Sequence, residues 1–120
     1  MVNTKISDPV RELLPLTPAL FYILFALAEG EKHGYAIMKE VENVSGGQFT
    51  MGPGTLYTTI QRLLELGLIE ETSTSSSPER RRRCYRLSRS GRRVFEAELN
   101  RMESLLRSAQ RRKLVPRYAS

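Results

Sequence analysis

The sequence predicts a mainly α-helical chain with a small β-wing. Three helical segments come first, two short strand-like segments follow, and a long amphipathic segment comes last. Charge is uneven: residues 1–79 carry five Lys/Arg against ten Asp/Glu, and residues 80–120 carry fourteen against three. Three helices and a two-stranded wing are the order of a winged helix-turn-helix. We therefore assign residues 1–87 to that domain, with an N-terminal arm, and residues 88–120 to a C-terminal helix and tail.

Composition limits the classes of protein that fit. The 120 residues, 40% of them hydrophobic, suit one compact domain. One cysteine, Cys84, excludes an internal disulfide, fits a reducing cytoplasm and cannot build a Cys-based zinc site with a single histidine. The longest apolar run, Ala19–Ala28, is too short for the roughly 20 residues of a membrane-spanning helix. We expect a soluble cytoplasmic protein with no metal, no cofactor and no membrane contact.

Residues suited to catalysis are scarce. The chain has one histidine, His33, and one aspartate, Asp8, and no phosphate-binding glycine loop follows a strand. Pairs of glutamates such as Glu70 and Glu71 are explained by solvent-exposed positions. The sequence therefore predicts no catalytic residues and a protein that is not an enzyme.

The first helical segment is predicted over about residues 18–29. Residues 1–16 precede it as a short helical or extended arm. Thr17 is placed as the N-cap and Pro18 as the first helical residue, and Gly30 ends the segment. Because this helix is apolar on nearly all sides, we expect it to contact a partner subunit as well as its own core.

Two further helices are predicted before the wing. Apolar residues at helical spacing indicate a second helix over residues 34–44, and Phe49-Thr50 is predicted as a short strand. Gly52-Pro53 opens the third helix and Gly67 ends it. Its inward face is formed by Leu56, Ile60, Leu63 and Leu64.

The outer face of the third helix carries polar side chains. Thr55, Thr58, Thr59 and Arg62 fall at i, i+3, i+4 and i+7, with Tyr57 and Gln61 at the edges. Hydroxyl, amide and guanidinium groups can hydrogen-bond base edges and phosphates, so this face is a candidate for DNA recognition. The alternative is an ordinary amphipathic helix with an uncharged outer face.

Residues 68–71 and 84–87 are predicted as the two wing strands, joined by a polar connector that ends in four arginines, Arg80 to Arg83. Each guanidinium presents a planar set of donors that fits phosphate, although many basic runs are solvated surfaces. Alternation predicts that Cys84 and Arg86 point outward while Tyr85 and Leu87 point inward. For Cys84, a redox switch and inert packing are both open.

The last helix is predicted from Ser88, its N-cap, to about Arg112. Its apolar residues recur at spacings of four, three, four and three, as in a coiled coil. They are Phe95, Leu99, Met102, Leu106 and Ala109. We expect this stripe to pair with a second copy in a homodimer; packing on the chain's own first helix is the alternative.

Several ordered motifs resemble the PadR family of bacterial transcriptional regulators over nearly the whole chain. They are Leu16-Thr17-Pro18-Ala19, His33-Gly34-Tyr35-Ala36-Ile37, Gly54-Thr55-Leu56-Tyr57 continuing through Arg62-Leu63 to Gly67-Leu68-Ile69, and Arg83-Cys84-Tyr85-Arg86-Leu87-Ser88 followed by Gly91. Because only one helix is predicted after the wing, the chain resembles the short subgroup of this family, which has a single C-terminal helix.

The resemblance implies a homodimeric repressor that binds a palindromic operator in double-stranded DNA and is released by a small-molecule effector. Members of the family respond to phenolic acids or to cationic aromatic drugs. This chain has no Trp, and Met102 stands midway along the dimer helix, which argues against a flat stacking platform. His33 and Gly34 are interpreted as fixing a turn, and Tyr57 as either a DNA contact or a core residue.

The sequence thus offers two candidate sites, one for DNA binding and one for dimerisation. The DNA-binding set is Lys39, Thr55, Tyr57, Thr58, Gln61, Arg62, Arg80, Arg81, Arg82 and Arg83, and the dimerisation set is Phe21, Phe25, Phe95, Leu99, Met102 and Leu106. The rival interpretation is a winged-helix interaction module that binds a protein or an anionic surface without operator specificity.

Overall fold

A computed structural model describes residues 9–73 and 83–116. The elements, in chain order, are α1 (Pro9–Glu12), α2 (Pro18–Ala28), β1 (Lys32–His33), α3 (Gly34–Val44), α4 (Pro53–Glu65), β2 (Ile69–Ser73), β3 (Arg83–Leu87) and α5 (Arg89–Arg111). The predicted fold class, mainly helical with a small wing, is confirmed. Within the arm, α1 is a single short helical turn.

The core is built around α2, which packs against α3, α4, α5 and β3. The helix starts where the sequence predicts, because the Thr17 side chain accepts a hydrogen bond from the Leu20 N–H at 3.3 Å and Pro18 follows the cap. Ile23, Leu24 and Leu27 are fully buried in the middle of the domain. Their burial supplies much of the hydrophobic stabilisation of the fold.

Helices α3 and α4 follow the predicted bounds closely. Gly67 ends α4 with a positive φ of 75°, a conformation that favours glycine. The N–H of the next residue, Leu68, then bonds back to the Leu63 carbonyl at 3.0 Å, which satisfies the end of the helix and starts β2.

The sheet has three strands in the order β1-β3-β2, all antiparallel. The predicted strand at Phe49-Thr50 is wrong. Phe49 instead stacks on Tyr22, with ring centroids 5.2 Å apart, and its N–H bonds to the Ser45 hydroxyl at 3.0 Å. The third strand is Lys32–His33, which is too short to show alternation in the sequence and pairs with β3, some 50 residues later.

The exposure expected for an outward-pointing Cys84 is not observed. Its side chain is buried, and in the register it lies opposite His33 on one side and Thr72 on the other. Because β3 is the central strand, this position is flanked by both neighbouring strands. The inward Tyr85 and the exposed Arg86 agree with the predicted alternation.

Helix α5 is fixed tightly to the end of the winged domain. The Ser88 hydroxyl accepts a hydrogen bond from the Gly91 N–H at 3.0 Å and donates one to the Gly67 carbonyl at 2.6 Å. Gly91 is buried directly against the backbone of Leu68. The winged domain and the last helix are therefore in backbone contact where they join.

Candidate nucleic-acid interface

Helix α4 presents a polar face away from the core. Leu56, Ile60 and Leu63 are buried, which fixes the rotation of the helix about its axis. The predicted recognition residues of this helix are all exposed, and they are Thr55, Tyr57, Thr58, Gln61 and Arg62. The last four line, with Glu65, a shallow groove of about 500 Å³.

Thr59 does not belong to this face, contrary to the predicted row of threonines. It is buried, and its hydroxyl donates to the Thr55 carbonyl at 2.7 Å. The bond satisfies the buried hydroxyl within the helix itself. The spacing of Thr59 from Leu56, Ile60 and Leu63 matches an inward stripe, and this was the signal in the sequence that could have placed it inside.

Tyr57 connects the exposed face of α4 to the base of the wing. Besides the groove on α4, it lines a second groove of about 470 Å³ together with His33, Gly34, Tyr35 and Arg83. Its ring is 50% exposed, so the side chain is neither a core residue nor fully in solvent. The exposed surface is thus continuous from α4, through Tyr57, to the base of the wing.

Of the four predicted wing arginines, Arg83 lies within the described residues, and Arg80, Arg81 and Arg82 lie outside them. The Arg83 side chain is 75% exposed, and its Nε is 3.6 Å from a Glu71 carboxylate oxygen. Such an exposed pair contributes little to folding, about 0–1 kcal/mol, so the guanidinium can exchange partners at little cost.

Lys39 lies on α3 with its side chain exposed, and its ammonium is 5.8 Å from the centre of the Tyr35 ring. The two residues are one helical turn apart, and Tyr35 is itself 60% exposed. The cation–π contact holds the lysine near the groove that Tyr35 lines without burying its charge.

The base of the wing contains a buried phenol. Burial raises the pKa of Tyr85, and the nearby Glu71 carboxylate raises it further, while Arg83 acts in the opposite direction. The phenol therefore stays neutral at physiological pH. On the other side of the groove, the His33 ring accepts a hydrogen bond from the Ala36 N–H at 3.4 Å and caps α3, which agrees with its interpretation as a turn-fixing residue.

The predicted dimerisation residues fall into two groups. Phe21, Phe25 and Phe95 pack on one another inside the chain, with ring centroids 5.4–5.9 Å apart, and Phe95 is buried there. The apolar stripe of α5 therefore begins on the chain's own α2, which was the alternative interpretation of the pattern. Leu99 and Met102, by contrast, are 37% and 38% exposed.

The exposed part of the stripe continues along α5. Leu106 is 42% exposed, and Leu105, which the heptad pattern did not include, is 59% exposed. Leu105 lines a groove of about 700 Å³ between the arm and α5. Its other lining residues are Val10, Arg11, Leu14, Ala97, Asn100, Arg101 and Ser104.

A buried glutamate that the sequence did not reveal holds the arm against α5. Glu98 is 1% exposed and accepts hydrogen bonds from the Leu16 N–H at 3.0 Å and from the Arg101 guanidinium at 2.6 and 3.1 Å. The Arg101 bonds, followed by the Leu16 bond, lower the pKa of Glu98 against the opposing effect of burial. Its neighbour Phe95, three positions earlier, is buried as well, so the two share the inward face of α5.

Residues 9–73 and 83–116 form neither a metal-binding cluster nor a membrane-spanning helix. Over these ranges, no three His, Cys, Asp or Glu side chains gather as they would around a metal ion. None of the helices there has the length and apolar character needed to cross a membrane.

Solved structures of other proteins share this fold. A transcriptional regulator from Clostridium thermocellum is 24% identical, covers 88% of this chain and 97% of its own, and superposes with a TM-score of 0.63. Bacillus subtilis PadR in complex with operator DNA is also 24% identical, covering 71% of this chain and 47% of that chain, with a TM-score of 0.63. At such identity the similarity establishes the fold.

Sequence comparison identifies the family. An uncharacterized 37.1 kDa protein in transposon TN4556 of Streptomyces fradiae is 37% identical over 87 residues, which are 72% of this chain and 24% of that protein. The chain thus spans about a quarter of the length of this relative. The Transcriptional regulator PadR-like family matches residues 23–97, which is more than half of the chain. This chain belongs to the PadR-like family of transcriptional regulators.

Proposed function

We propose that this chain is a sequence-specific DNA-binding regulator that acts as a homodimeric repressor. The observation that carries the proposal is the continuity of one surface: the exposed face of α4 is joined through Tyr57 to Arg83 at the base of the wing. A recognition helix in the major groove beside a wing on the backbone requires this juxtaposition. Bacillus subtilis PadR, which shares the fold, is in complex with operator DNA, and this supports DNA binding by the present chain.

The two parts of the surface have different roles in the proposal. Gln61 and Arg62 read base edges, because an amide and a guanidinium can each make paired hydrogen bonds there. Thr55, Tyr57 and Thr58 complete the recognition face. Lys39 and the wing arginines, Arg80 to Arg83, contact phosphates, and each such contact releases counterions and steepens the salt dependence of binding.

The dimer is supported by the uncovered apolar stripe on α5. Leu99, Met102, Leu105 and Leu106 are 37–59% exposed in the single chain, and a second copy of α5 would remove them from water. Phe21 and Phe25, which are half-buried, support this interface from beneath. A symmetric dimer presents two recognition helices and therefore matches a palindromic operator.

Repression and release by a small-molecule effector are what the family resemblance implies, and action in the cytoplasm is what the composition predicts; all three complete the proposal. The boundary between a DNA-binding part, residues 1–87, and a dimerisation part, residues 88–120, belongs to the same proposal.

The decisive experiment is a mobility shift on the protein's own promoter at moderate salt, with competitor DNA of unrelated sequence. We expect a complex that competitor removes from random DNA but not from the promoter. Equal affinity for both would favour the rival function, an interaction module without operator specificity.

Base reading by α4 is tested by selecting bound sites from a randomised duplex pool. Gln61→Ala and Arg62→Ala should each cost about 1–3 kcal/mol at the preferred site and relax the selected motif at one position. Lys39→Ala is the matched control, because loss of a phosphate contact should weaken all duplexes alike and leave the motif intact. An unaltered motif for both α4 variants would rule out base reading by this helix.

A further inference from the structure

Gly34, the first residue of α3, is in direct contact with the side chain of Tyr57. The Gly34 backbone is buried, and the Tyr57 hydroxyl lies against it. A Cβ added at Gly34 would overlap the Tyr57 hydroxyl oxygen, and it would lie 3.0 Å from Cζ and 3.3 Å from Cε1 of the same ring. All three of the nearest atoms belong to Tyr57.

Space, and not backbone conformation, explains the glycine at this position. The φ angles of Gly30, Gly46, Gly47 and Gly67 are positive, in the region that favours glycine, whereas Gly34 is not in that group. Gly34 is helical, and alanine is ordinarily the better residue within a helix. Gly34 therefore lacks a Cβ because the Tyr57 side chain occupies the space that a Cβ would need.

We propose that Gly34 is a positioning residue for DNA recognition, which holds the Tyr57 side chain in place between the recognition face of α4 and the base of the wing. Among the described residues Tyr57 is the one that lines both grooves, so its orientation decides whether the two surfaces are continuous. This inference rests on the proposed function. It adds a residue of α3, which makes no base contact itself, to the determinants of DNA affinity.

The physical consequence of filling this space is specific. Tyr57 is half-exposed, and the overlapping atoms are at the far end of its side chain, so the ring can move outward without breaking the core. Gly34→Ala should therefore leave the fold nearly unchanged. DNA affinity should fall because the hydroxyl no longer occupies its position.

A double-mutant cycle on the full-length protein tests this mechanism. The probe is the duplex recovered by selection from the randomised pool. In the proposal the Tyr57 hydroxyl donates a hydrogen bond to a DNA phosphate, so Gly34→Ala and Tyr57→Phe, which each remove that bond, should each weaken binding about tenfold. In the Tyr57→Phe background, Gly34→Ala should weaken binding further by less than about twofold. The reason is that Gly34→Ala is expected to act by displacing the Tyr57 hydroxyl, and phenylalanine has no hydroxyl to displace.

Tyr35→Phe is the matched control, because Tyr35 is an exposed tyrosine that lines the same groove. In that background Gly34→Ala should keep its full effect of about tenfold. The inference would be overturned if Gly34→Ala and Tyr57→Phe reduced DNA affinity independently, or if Gly34→Ala did not reduce it at all. As long as the wild-type protein binds the selected duplex, either result leaves the proposed function standing. Failure of the wild-type protein to bind any duplex would instead overturn both.

A spectroscopic readout reports the contact without DNA. We expect nuclear Overhauser effects between the Gly34 α-protons and the Tyr57 ring protons in the wild-type protein, and their loss in Gly34→Ala with the rest of the spectrum retained. If Gly34→Ala does not fold, Gly34→Ala with Tyr57→Ala removes the overlap. Failure of that double variant to recover the fold would show that Gly34 acts on something other than Tyr57.

Discussion

Glu98 is a single residue that joins two distant parts of the chain. Its buried carboxylate accepts the Leu16 N–H of the arm and two bonds from Arg101 on α5. A buried carboxylate is stable only when its oxygens are satisfied in this way. The arm is therefore held against α5 by a polar contact as well as by the half-buried apolar side chains of Leu13 and Leu14.

Glu98→Gln should lower the free energy of unfolding by about 1–2 kcal/mol at pH 7. The folded-state pKa of Glu98 is lowered, so its contribution is fully present above the ordinary range of a glutamate, about pH 4–5, and is lost as the pH falls through the lowered value. The difference between the two proteins should therefore shrink as the solution is acidified. Chemical denaturation at a series of pH values measures it.

The matched control for this substitution is Glu103→Gln on the same helix. Glu103 pairs with Arg107 at 3.0 Å, but both side chains are more than half exposed. Such a pair is worth about 0.3–0.5 kcal/mol. Equal effects of the two substitutions would contradict the structural role given to Glu98.

At the scale of elements, the joint between the winged domain and α5 is made of backbone. A Cβ at Gly91 would overlap the Leu68 carbonyl oxygen and lie 2.9 Å from the carbonyl carbon. Gly91→Ala should therefore lower the free energy of unfolding by about 1–3 kcal/mol, because neither backbone segment can yield without moving its element. Gly54→Ala, at a helical site with open space, should be neutral or slightly stabilising in the same thermal and denaturant melts.

The elements differ in how far their sequence defines them. Helix α2 is predictable because Thr17 and Pro18 are local signals that act within one turn. Strand β1 is not predictable, because two residues are too few to show polar and apolar alternation. The strand forms only through its pairing with β3. The burial of Cys84 was not predictable for the same reason, since it depends on the residues opposite it on two other strands, His33 and Thr72.

At the scale of the whole molecule, the exposed stripe on α5 predicts self-association. Leu99→Glu combined with Met102→Glu should weaken the proposed dimer by roughly 100-fold or more, because charges would replace apolar groups that a second copy is proposed to bury. Sedimentation equilibrium measures the change. Leu99→Ile combined with Met102→Leu keeps the stripe apolar and should remain dimeric; a persistent dimer in the glutamate variant would place the interface elsewhere.

The sequence by itself determined the order of the main helices and of the two wing strands, most helix boundaries, and most of the exposed face of α4, because caps, periodicity and turn residues act over a few positions. The tertiary structure alone decided that Thr59 and Cys84 are buried, that Phe95 packs on α2, and that Glu98 binds the arm. These features depend on which surfaces meet in space. Contacts between residues as far apart as Leu16 and Glu98 leave no periodic signal in the chain, since their energy appears only after the elements have packed.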